Sequence, residues 1–118
     1  MNIIFDKSHL DELQSKYTVL ELDTFRVEST GQQRTAYCVV ENVPILEMAQ
    51  IESFKNLHAN LMDNYRKQDW NYCEQAIEHL MGKWNGEMNS FYTDLLGRIA
   101  SYKENAPNSD WDSVILRP

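Results

Sequence analysis

The 118-residue chain has only two cysteines, Cys38 and Cys73, and no C-x-x-C pair. At this length one hydrophobic core needs no covalent staples. Cys38 lies in the apolar run Ala36-Tyr37-Cys38-Val39-Val40 and Cys73 on an apolar helical stripe. Both positions suit buried free thiols, although sequence leaves their pairing open because distance decides it. Cations are scarce as well: 11 Lys and Arg stand against 18 Asp and Glu, a formal charge of −7, and no basic cluster exceeds Arg66-Lys67. Nucleic-acid affinity rests on neutralised phosphates and anionic membranes attract basic segments, so neither is expected as a partner. No apolar run approaches the ~18 residues of a spanning helix. No secretory signal opens the chain, and a reducing cytoplasm is the expected location. Phosphate loops, dinucleotide fingerprints, H-E-x-x-H and G-x-S-x-G are missing too. No catalytic residue, metal site or cofactor is assigned on these grounds, and the chain points away from an enzyme.

What is present is apolar and aromatic: 42% apolar residues, with 4 Phe, 6 Tyr and 3 Trp. That content predicts a folded chain. Residues 1–5 read as a short strand and Ser8 to Lys16 as a short helix with Leu10 and Leu13 inward. From Tyr17 to Glu41, β-branched and aromatic residues flank Ser29-Thr30-Gly31-Gln32, which predicts a β-hairpin. A lone hairpin is marginal in water. It must pack on helices, gain a strand from residues 1–5, or pair with a second copy.

Period two gives way to 3.6 at Pro44, where a helix of about 24 residues is expected to Gln68. Its apolar set is Ile45, Met48, Ile51, Phe54, Leu57, Leu61 and Tyr65, with His58 on the flank. Asp69 then caps the next helix. Trp70, Cys73, Ile77, Leu80 and Trp84 follow steps of 3 or 4, as do Met88, Phe91, Leu95, Ile99 and Tyr102. Each set is one helical stripe, predicting helices at about 70–84 and 87–103. Asn85-Gly86 supplies the reversal between them. Asn105 to Asp110 reads as a loop, and Trp111 beyond it is expected to plug the helix ends, its indole N–H meeting an acceptor. The fold class is therefore α+β: an N-terminal hairpin packed on a mostly helical body, as one domain with a hairpin part over 1–43 and a helical part over 44–118.

The residues Tyr65, Asp69-Trp70, Cys73, Ile77 and Leu80, followed by Phe91-Tyr92, Leu95, Arg98-Ile99, Tyr102, Pro107 and Asp110-Trp111-Asp112, resemble a known helical tail. It is the tetratricopeptide-like segment behind the catalytic domain of some bacterial class III adenylate/guanylate cyclases. Ser113 stands where that tail has glycine, and Cys73 where it has a small residue. The likeness spans about 50 residues and is of a kind that repeat helices share. It implies a packing or docking module with a TPR-like αα-hairpin, and none of the cyclase chemistry. The acidic, aromatic style also resembles small proteins of tailed phages, on no particular motif.

Carboxylate groupings are the competing signal. Asp6, His9 and Glu12 share one helix face; Glu21 and Asp23 sit one strand period apart with Glu41 nearby; Glu74 and Glu78 lie at i and i+4, with Asp94 across the helical hairpin. Paired carboxylates serve acid–base work or bind divalent ions. The simpler reading is solvated faces, with Glu21 and Asp23 alternating against Leu20 and Leu22. His79 lies six residues from Cys73, on the far side of a helix, so no base activates that thiol. The expected function is a small acidic protein–protein interaction or adaptor domain, non-catalytic and self-associating as a homodimer. Trp70, Trp84, Tyr92, Trp111 and Asp112 are its protein-binding or plugging residues. The alternative is a metal-dependent helical hydrolase using the clustered carboxylates.

Overall fold

The computed structural model describes residues 2–5, 10–41, 43, 45–108 and 111–117. The chain forms two compact units, Met1–Glu41 with Asp112–Pro118, and Asn42–Trp111. It is α+β, as the change of period predicts. The helical part expected over 44–118 stops at Trp111, because the residues after it return to the sheet.

In the first unit, strands β2 (Thr18–Val27) and β3 (Gln33–Val40) form the expected antiparallel hairpin. Gly31 holds φ +71° in its turn, a conformation that costs glycine little. The short strand β1 (Asn2–Ile4) pairs antiparallel with β3, and β4 (Ile115–Arg117) runs parallel to β2, for a sheet order β1-β3-β2-β4. Both edges are thus three-residue strands of the same chain, β1 beside Tyr37–Val39 of β3 and β4 beside Phe25–Val27 of β2. Helix α1 (Leu10–Lys16) packs along β2 with Leu10 and Leu13 half-buried. Asp6 and His9, expected with Glu12 on that helix, lie outside the described residues, as does Ser8, where the helix is expected to begin.

Strand β2 carries a bulge. Glu21 faces Tyr37 and Thr24 faces Thr35, so Leu22 and Asp23 together oppose Ala36. An extra residue breaks period two and turns side chains that alternation would separate. Leu22 and Asp23 are both buried, and Glu21 is half-buried. The expectation that Asp23 joins Glu21 on an outward polar face is therefore corrected. The core of this unit is aliphatic: Val19, Leu20, Leu22, Ala36, Cys38, Val39 and Val40.

The second unit has three α-helices, α2 (Ile51–Arg66), α3 (Trp70–Leu80) and α4 (Asn89–Glu104). The 24-residue helix expected from Pro44 is shorter: Ile45–Gln50 is a 3-10 helix, and α2 begins only at Ile51. Ile45, Met48, Ile51, Phe54 and Leu57 recur at intervals of three, but that spacing runs on into the α-helix and does not mark where it begins. Ile45 and Met48 are 82% and 55% exposed and hold no core position, contrary to expectation. Asn42 and Pro44 lie outside the described residues.

Asp69 caps α3 as expected, its carboxylate accepting from the Tyr72 amide at 3.2 Å. The helix ends at Leu80, not at 84, because Gly82 takes φ +83° and donates its amide to the Asn89 side chain at 2.8 Å. A 3-10 turn, Trp84–Gly86, completes the reversal. The buried residues Leu61, Met62, Tyr65, Cys73, Ala76, Ile77, Leu80, Met88, Phe91, Leu95 and Ile99 take one face of each helix, the predicted stripes among them.

Candidate interaction surfaces

Of the five residues singled out by sequence, Trp84 and Tyr92 meet in the core of the helical unit. Both are 0% exposed. Trp84 Nε1 donates to the Tyr92 hydroxyl at 3.1 Å, and that hydroxyl lies 3.0 Å from His58 Nδ1. The Tyr92 hydroxyl, which can both donate and accept, thus serves the indole and the imidazole at once. Trp84 reaches this place with a left-handed backbone, φ 58°, and Asn85 follows at φ 57°. Such a conformation costs a bulky residue roughly 1–3 kcal/mol, and the buried ring, edge-on to Phe54 at 6.0 Å, offsets it. Trp84 and Tyr92 are thus core residues and are not offered to a partner. His58 is buried at 2% exposure and is not the flank residue expected. The missed signal is its spacing, since Phe54, His58, Leu61 and Tyr65 follow steps of 4, 3 and 4.

Trp70 and Trp111 form a second, half-buried cluster. Trp70 stacks on Tyr102 with centroids 5.3 Å apart and planes 24° from parallel. Trp111 meets three rings edge-on: Tyr65 at 5.4 Å, Tyr102 at 5.4 Å and Trp70 at 5.8 Å. Tyr65 closes the cluster from behind, and Arg98 lies over its ring at 5.9 Å. Tyr102, Ala106, Pro107, Asn108 and Trp111 line a hollow of about 460 Å³. Trp111 is a partial plug only. Among the described residues no acceptor meets its indole N–H, and the Tyr102 hydroxyl and the Asn108 side chain also make no hydrogen bond. Asp112 plays a different part, within the sheet unit. Its carboxylate accepts from the Val114 amide at 3.0 Å and pairs with Arg26 at 3.0 Å, and these two bonds, in that order, hold its pKa below the ordinary value.

The sheet unit has an apolar hollow that sequence did not point to. Opposed and alternate residues share a face, so Ile3, Leu20, Cys38 and, past the bulge, Phe25, Val27 and Arg34 lie together. Phe5, Phe25, Val27, Gln32 and Arg34 line a hollow of about 260 Å³, with the rings of Phe5 and Phe25 edge-on at 6.1 Å. Ile3 and Phe5 are 47% and 46% exposed. Three-residue β1 is too short for period two to reveal its face.

The carboxylate groupings do not assemble. Glu74 is paired with Lys103, which also donates to Asn71, and Glu78 and Asp94 are exposed. Glu41 accepts from the Asn2 side chain at 3.1 Å. Among the described residues no three His, Cys, Asp or Glu are grouped to hold a metal ion. Neither Cys38 nor Cys73 is in a disulfide, and both are buried. Burial first, then the charges of Asp69 and Glu74, push the Cys73 thiol up to about 12, the opposite of what a nucleophile needs. Among the described residues no helix is long and apolar enough to cross a membrane. Comparison with protein families, curated sequences and solved structures finds no match for this chain. The likeness to a cyclase tail therefore rests on the quoted residues alone.

Proposed function

We propose that this protein is a small acidic interaction domain that works by docking and associates with a second copy of itself. The observation that carries the reading is the apolar hollow on the sheet, where Ile3 and Phe5 stand half exposed beside Phe25 and Val27. Apolar side chains grouped on a surface mark contact sites more often than chance exposure does. The route favoured is the sheet face, because that is where these apolar side chains are grouped. A two-fold pairing lets the same patch cover itself, each copy contributing Phe5 and Phe25. Sedimentation velocity at micromolar concentration tests this. A concentration-dependent dimer is expected for the native chain, and Phe5→Glu, which sets like charges against each other across the two-fold, should be monomeric. A native monomer throughout the range, or a Phe5→Glu dimer of unchanged strength, overturns the reading.

A further inference from the structure

Going beyond that reading, we propose that the hollow beside Trp111 docks a proline-rich, basic-flanked peptide segment in the polyproline II conformation. Three observations converge on this ligand. Tyr102 and Trp111 line the hollow with Pro107, and their rings meet at 63° to form an aromatic corner of it. That corner is rigid, because Trp70 and Tyr65 pack against it from within the helical unit at 5.3–5.8 Å. A preformed corner loses little entropy on binding, and neither does a polyproline segment, which is already extended before it binds.

The hydrogen-bonding inventory selects among extended peptides. The indole N–H of Trp111 is a donor only, and Asn108 and Tyr102 bring further donors; among the described residues all three are unspent. A polyproline segment is the complementary case: its carbonyls are unbonded and its proline nitrogens carry no hydrogen. A helical peptide has already used its carbonyls, and an added strand needs alternating donors and acceptors along a sheet edge, which this hollow does not have. Charge sets the flanks. On a chain of net charge −7, with Glu104 exposed at the end of α4, arginines bordering the prolines are attracted.

The probe is a blocked peptide of six prolines flanked by arginines, titrated against the full chain while tryptophan emission is followed. A control peptide carries alanine in place of proline with the same charge. Saturable binding is expected with the proline peptide, about tenfold weaker with the control. Trp111→Phe keeps a ring and loses the N–H, and Asn108→Ala lies on a loop; each should weaken binding about tenfold with an unchanged circular dichroism spectrum. Phe5→Glu should bind the peptide as the native chain does. That separates this site from self-association: a dimer without peptide binding leaves the proposed function standing and removes this inference. No saturation at millimolar peptide overturns it, as does equal affinity for the alanine control, or stronger binding of an amphipathic helical peptide of equal charge. Affinity unchanged in both Trp111→Phe and Asn108→Ala also overturns it.

Discussion

Trp84 and Trp111 belong to the same helical unit, yet their indole nitrogens meet opposite surroundings. Around Trp84 the N–H has an acceptor, that acceptor has its own partner in His58, and no part of the ring reaches water. Around Trp111 the ring is gripped by three aromatic neighbours, and among the described residues the N–H has no acceptor. A tryptophan whose polar handle is satisfied inside belongs to the core, and one whose handle has no protein acceptor stays where water can reach it. Ring contacts alone do not separate the two cases; the fate of the N–H does.

The largest effect should come from Trp84→Ala. Truncating a fully buried tryptophan costs ~3–5 kcal/mol, a large share of the ~5–15 kcal/mol that holds a domain. Relief of the left-handed backbone at that position returns only part of it. Urea denaturation should show the midpoint falling steeply or the fold lost. A mild effect would mean that the Trp84 pocket collapses at little cost and that the contrast with Trp111 is one of exposure alone.

Tyr92→Phe is subtler, since it keeps the ring and removes one oxygen. That oxygen serves both Trp84 and His58, so two buried groups lose a partner. A buried polar group without its partner costs about 1–3 kcal/mol. The double variant with Trp84→Phe should lose less than the two single losses combined, because the shared bond can be removed only once. Full additivity in a double-mutant cycle would show that the hydroxyl contributes nothing to Trp84.

Trp111→Ala comes next, at roughly 1–2 kcal/mol, because a half-buried ring has only part of an aromatic's transfer energy at stake. Acrylamide should quench its emission readily and leave Trp84 shielded. A loss as large as that of Trp84→Ala would make Trp111 a core residue and remove the contrast.

How far this contrast is legible from sequence depends on what sequence encodes. The stripes from Trp70 to Trp84 and from Met88 to Tyr102 carry enough period to place the core faces of α3 and α4. Asp69, Asn85-Gly86 and the hairpin turn carry their own backbone chemistry. What escapes is geometry without a period. The bulge at Leu22-Asp23 adds one residue to β2, and nothing local distinguishes it from continued alternation. The change from 3-10 to α-helix at Ile51 is not marked either, since the spacing of three runs across it from Ile45 to Leu57. The partner of an indole N–H lies several residues away in sequence, or is not found among the described residues, so Trp84 and Trp111 look alike until the fold places Tyr92.

The smallest effect tests whether Trp111 is positioned by the helical unit's rings alone. Asp112, its neighbour in sequence, belongs to the sheet unit, where it accepts from the Val114 amide and pairs with Arg26. Asp112→Asn keeps an oxygen for the amide and removes the ion pair. Both partners are well exposed, with side chains 53% and 38% accessible, so the loss should be slight and should vanish in high salt. The sign of its pH dependence is fixed by the lowered pKa. In the unfolded chain the carboxyl titrates near 3.8, and in the folded chain it titrates lower, so folding favours the ionised form. That contribution is present above about 3.8 and is lost as pH falls through the lower folded value. The native chain should therefore lose a small increment of stability in acid that Asp112→Asn has already lost, and their melting curves should converge there. Throughout, Trp111 emission should be the same in both proteins, since its neighbours Tyr65, Trp70 and Tyr102 are untouched. A red shift in Asp112→Asn would mean that these three rings alone do not fix the surroundings of Trp111.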